Sequence, residues 1–92
     1  MSTELERAAS SLLISLRMGE GLDSARLDHL RAALTEAAEQ WTQRDSVPRS
    51  TVALLVALYP DFEAASYGYP NTQAEEIQEA ARQLSEHILS LL

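Results

Sequence analysis

The sequence predicts an all-α fold: an antiparallel four-helix bundle with a short, buried third helix and a long loop before the fourth. Three observations lead there. Glycine and proline fall only at three breaks: Gly19 with Gly21, Pro48, and the stretch from Pro60 to Pro70. Between the breaks, apolar residues recur every three or four positions, the spacing of one helix face. The first two connections are short, which sets neighbouring helices antiparallel.

The first helix is expected over residues 4–18. Thr3 with Glu6 has the spacing of a capping box, and Leu5, Ala8, Ala9, Leu12, Leu13 and Leu16 form its apolar face. Gly19 suits the left-handed position that ends a helix. The second spans residues 24–44, capped by Asp23 or Ser24. Its seam is Leu27, Leu30, Leu34, Ala37 or Ala38, and Trp41. The third spans residues 48–58, and the connection after it, residues 59–72, has room for one helical turn at Asp61 to Ser66, ended by Gly68. Pro48 belongs in a first turn, where its missing N–H costs nothing, and Ser46 is a candidate cap. From Val52 to Leu58 this helix is apolar all round, so it lies either at the centre of the core or partly under a partner. The fourth spans residues 73–91, with Thr72 and Glu75 as a second capping box. Ile77, Leu84 and Leu91 recur every seven residues there, interleaved with Ala81 and Ile88. The expected core is Leu12, Leu16, Leu27, Leu30, Leu34, Trp41, Val52, Leu55, Val56, Ile77, Ala81, Leu84 and Ile88.

Ninety-two residues make a single helical domain, 1–92. The chain carries 14 acidic residues against 7 basic ones, a net charge of −7. That balance lacks the basic footprint that nucleic acids and anionic membranes require, so neither is an expected partner. It suits a protein partner with a basic surface. With no cysteine there is no disulfide and no thiolate chemistry. Glu4 and Glu6 stand where an export signal would be positive, and the longest apolar run is far below the roughly 20 residues of a membrane span. A cytoplasmic protein is the resulting expectation.

The chemistry-bearing residues do not assemble into a recognisable site. At helical ligand spacing from His29 and His87 stand alanines, leucines, Arg26, Gln83 and Ser90, so no metal is expected. No serine has a nucleophile-elbow setting or a neighbouring base, and no glycine loop could cradle a phosphate. The expectation is therefore no enzyme, no catalytic residue and no cofactor. Arg44, Arg49, Ser50 and Thr51 at the start of the third helix form a small anion-like cluster that nothing extends. Gly21-Leu22-Asp23-Ser24-Ala25 resembles the attachment site of acyl carrier proteins over those five residues. Ala25 replaces the family's leucine and the serine follows only one helix, so an Asp/Ser cap explains it.

Four of the five aromatic residues, Tyr59, Phe62, Tyr67 and Tyr69, fall between residues 59 and 69, with Asp61 and Glu63 among them. Tyr59 and Phe62 continue the buried helix and are assigned to core closure. Tyr67 and Tyr69 are left as interface anchors, since tyrosine joins a large rigid contact area to a polar tip. The expected function is a non-enzymatic protein-interaction module, an adaptor, inhibitor or regulator. It would bind through the 59–70 loop and the acidic face of the last helix, using Tyr67, Tyr69, Asp61, Glu63, Glu75 and Glu79. A tyrosine-and-acid patch ahead of the last helix, with the pair Tyr69-Pro70, is loosely similar to the immunity proteins of nuclease bacteriocins, which implies an inhibitor. Two alternatives stand beside this. Surplus apolar residues (Ile14, Leu54, Leu58 and Leu92) suit a homodimer or other homo-oligomer, and a pocket near Trp41 suits a small-molecule-binding bundle.

Overall fold

Four α-helices account for nearly all of the structure, a computed structural model that describes residues 3–92, Thr3 by its backbone alone. They are α1 (Thr3–Arg17), α2 (Ser24–Arg44), α3 (Arg49–Ser66) and α4 (Asn71–Leu91). No strand occurs among the described residues. The helices pack α1 on α2, α3 on α4, α1 on α3 and α2 on α4, in a molecule 42 × 20 × 20 Å. Among the described residues no helix is long and apolar enough to cross a membrane.

The caps explain two of the boundaries. The Asp23 carboxylate accepts hydrogen bonds from the backbone N–H groups of Ala25 and Arg26, which satisfies two of the orphan donors at the start of α2. Asp45 ends that helix in the left-handed conformation, φ 53°, and its N–H donates to the Trp41 carbonyl. Gly19 and Gly21 both have positive φ, where a Cβ would be strained, so the α1–α2 turn needs both glycines. The cap expected from the Thr3 side chain lies outside the described residues. The capping box at Thr72 is corrected: α4 begins at Asn71 behind Pro70, with no side-chain cap. Likewise Ser46 does not cap α3, which follows directly on Pro48.

The larger correction concerns α3. It is neither short nor followed by a long loop. It runs for 18 residues straight through Pro60, and only residues 67–70 separate it from α4. A proline inside a helix forfeits the bond to the carbonyl four residues back, here that of Val56, at a cost of about 3 kcal/mol. Past the proline, Phe62 and Ser66 are both fully buried. Burying one large apolar side chain returns roughly 1.5–3 kcal/mol, and the intact turns around it restore their own hydrogen bonds. Pro60→Ala is therefore expected to raise the stability by about 2 kcal/mol, the regained bond less the roughly 1 kcal/mol by which proline restricts the unfolded chain, read as a higher melting temperature without a change in helical content.

The core contains Leu5, Leu12 and Leu16 of α1, Leu30, Leu34 and Trp41 of α2, Leu55, Leu58 and Phe62 of α3, and Ile77, Ala81, Leu84 and Ile88 of α4. Three expected core residues depart from this set. Leu27 is half-buried against its edge, and Val52 and Val56 are exposed. Leu58, expected among the surplus apolar residues, is buried. The physical reason is rotational. Thr51, Leu55, Leu58, Phe62 and Ser66 form one stripe of α3 and take the inward face, which turns Val52 and Val56 outward.

Candidate functional site: an apolar groove between α3 and α4

Beside the inward stripe of α3 runs a second one, Val52, Val56 and Tyr59, spaced by four and three residues. Ser85, Leu89 and Leu92 line up in the same way on α4. Between them lies a groove of about 350 Å³ walled by these side chains with Val47, Leu55 and Ile88. None of the lining residues is charged, and Ser85 and Tyr59 bring the only side-chain hydroxyls. Val56 is 71% exposed, Leu89 72% and Leu92 70%. The open parts of Val52, Val56, Tyr59, Leu89 and Leu92 come to on the order of 500 Å², the size at which an apolar patch on a monomer is often functional.

Outside the lining of the groove, α4 carries a cluster of paired charges. The Arg82 guanidinium donates to both carboxylate oxygens of Glu79 and also to Glu86. The hydrogen bond from Arg82 lowers the pKa of Glu79 below the usual carboxylate range, and the Glu79 bond with both carboxylate charges raises that of Arg82. The small stabilisation this gives is present above the ordinary carboxylate pKa and is lost as pH falls through the lowered one. Both partners are about half exposed, so solvent screens it.

The expected site residues do not converge. Tyr69 is half-buried. Its hydroxyl donates to the Leu16 carbonyl at 2.6 Å and accepts from the Gly21 N–H at 3.0 Å. It clamps the α1–α2 turn to the end of α3 and is no free anchor. Tyr67 is 75% exposed on the short connection. Asp61 and Glu63 lie two residues apart on α3, on different sides of the helix; Glu63 continues the groove stripe and Asp61 does not. Glu75 and Glu79 line a separate shallow depression with Glu76, Leu22, Leu27 and Ala80. Phe62 closes the core as expected, whereas Tyr59 belongs to the groove.

The remaining candidates fall away on geometry. Thr51, expected in an anion-like cluster, is buried at 3%. His29 pairs with Glu4 at 2.5 Å, His87 lies 3.5 Å from the Thr35 hydroxyl, and no three of the His, Asp and Glu side chains are placed to hold a metal ion among the described residues. Trp41 adjoins a smaller cleft with Thr42, Asp45, Ser46, Val47, Leu91 and Leu92, and its buried indole N–H meets no acceptor among the described residues.

One signal for the groove was present in the sequence: a helix apolar on all sides cannot bury every side in so small a domain. Which side stays open depends on how α3 is rotated against α1 and α4. No protein-family model, curated protein or solved structure matches this chain. The Tyr69-Pro70 pair behind the resemblance to immunity proteins has its tyrosine hydroxyl committed to the chain's own backbone.

Proposed function

We propose that this protein is a non-enzymatic interaction module, and that its docking surface is the α3–α4 groove. The single observation that carries this is an uncharged channel whose walls are large, exposed aliphatic side chains. Such a lining favours capture of apolar surface, and apart from the hydroxyls of Ser85 and Tyr59 it offers no side chain that could move a proton or attack a substrate. A groove between two helices takes the apolar face of a third helix, read by residues at helical spacing. Tyr67, Asp61, Glu75 and Glu79 then lie outside the contact, and Glu63 sits at its end.

The same reading takes the four helices as an antiparallel bundle. In support, the short connections 18–23 and 67–70 join helices that pack on each other, α1 on α2 and α3 on α4, as the hairpin neighbours of such a bundle do. The cysteine-free composition suits a cytoplasmic setting.

The test is a selection of amphipathic helical peptides against the dilute protein, followed by mapping of the bound site from amide chemical shifts. Binders are expected to perturb Val52, Val56, Tyr59 and Leu89, and to lose at least about tenfold in affinity to Leu89→Asp. Binders that map to Tyr67 or to the Glu75–Glu79 depression, or a groove that yields none, would overturn the assignment.

A further inference from the structure

We infer that the occupant of this groove is a second copy of the same chain, with α3 packed antiparallel on α3 about a twofold axis at Val56. The inference rests on the groove being a docking surface, and it adds the partner. Its basis is the pattern of charge along the outer stripe of α3. That stripe reads Arg49, Val52, Val56, Tyr59, Glu63, stepping by three, four, three and four residues, the spacing of a coiled-coil seam. Arg49 precedes Val56 by seven residues and Glu63 follows it by seven. Each end charge is therefore two turns, about 10 Å, from the middle of the stripe.

Both end charges stand in the wrong place for an isolated helix. Arg49 is the first residue of α3 and Glu63 lies in its last turn, against the preference of the helix dipole for acid at the start and base at the end. Neither has an ion-pair partner among the described residues. An antiparallel copy reverses the sense of both. Arg49 then faces the partner's Glu63 and lies near the negative end of the partner's α3. Glu63 faces the partner's Arg49, near the positive end of that helix. Symmetry forms the pair twice. Between the charged ends, Val56 meets its counterpart on the axis, Val52 lies opposite the partner's Tyr59 and Tyr59 opposite the partner's Val52, and Leu89 and Leu92 of α4 extend the apolar contact. The open apolar surface of on the order of 500 Å² per copy, with the two charged ends added, approaches the roughly 800 Å² per partner of a standard interface.

Sedimentation equilibrium on the full chain is the first arm of the test. The expected mass is twice 10.1 kDa. Val56→Glu places like charges on the axis and is expected to give a monomer with unchanged helical content, because that side chain is exposed. Arg49→Glu is expected to weaken dimerisation by at least about tenfold, and Arg49→Glu with Glu63→Arg to recover most of the loss. Since the chain has no cysteine, Val56→Cys supplies a single thiol at the axis, and mild oxidation should link two copies through it. A monomer at millimolar concentration, a dimer indifferent to Val56→Glu, or a charge exchange that restores nothing would each overturn the inference. A monomer whose groove still binds selected helices would remove the second copy and leave the docking surface standing. A monomer whose groove binds nothing would remove both.

Discussion

Phe62→Ala should destabilise the protein by about 3–5 kcal/mol and lower the melting temperature by on the order of 20 °C. The side chain is 0% exposed and is the largest of the fully buried set. It shares the core with Leu12, Leu16, Ile77 and Leu84, so its removal leaves a cavity lined from several helices that cannot all close at once. A domain of this size holds on the order of 5–10 kcal/mol in total, so the loss is a large part of the whole. The C-terminal half of α3 suffers most. Without Phe62 nothing offsets the bond that Pro60 forfeits, and the turn beyond the proline is expected to fray. Thermal melts followed by circular dichroism check this, with Tyr67→Ala as the control. Tyr67 is an exposed neighbour, and its loss is expected to stay within about 0.5 kcal/mol. A Phe62→Ala variant less than about 1 kcal/mol below the parent would mean that α3 is not anchored through this side chain.

Tyr69→Phe should cost about 1–3 kcal/mol although it removes a single atom. That oxygen donates to the Leu16 carbonyl and accepts from the Gly21 N–H. The first belongs to the last turn of α1 and the second to the glycine turn that follows it, 53 and 48 residues away in sequence. Phenylalanine keeps the ring and leaves the Gly21 amide without this acceptor, while the Leu16 carbonyl keeps only its bond from the Gly19 N–H. The loss should be local as well as global, with amide exchange at Gly21 accelerating more than at residues inside α2. A free interface anchor, as the sequence suggests for Tyr69, would leave stability unchanged on the same substitution. The one variant therefore separates a clamp from a contact.

The sequence shows much of the fold and little of the site. Three of four helices have their extent within a residue or two, because glycine, proline and the Asp23 cap act through local backbone chemistry. The fourth case, α3, is read as ending at Leu58, ahead of Pro60, because a proline penalty is local, whereas the burial of Phe62 that offsets it is not. The aromatic cluster shows the same division. Tyr59, Phe62, Tyr67 and Tyr69 are alike in composition and near in sequence, yet they occupy the groove wall, the core, the solvent and a backbone clamp. Helical rotation separates the first two. The end of α1 and the positive-φ glycine turn after it supply the backbone groups that draw in the last.

The amino-acid sequence by itself determined that this protein is helical, acidic and divided at Gly19–Gly21 and Pro48, since each of these is a property of residues and their immediate neighbours. Only the tertiary structure decided which side of α3 is left open. A helix carrying Val52, Leu54, Leu55, Val56 and Leu58 has more apolar faces than its neighbours can cover. The choice falls to packing: the stripe through Leu55, Leu58 and Phe62 gains the most buried area against α1 and α4. Val52, Val56 and Tyr59 are left at the surface, between an arginine and a glutamate that find no partner among the described residues of their own chain.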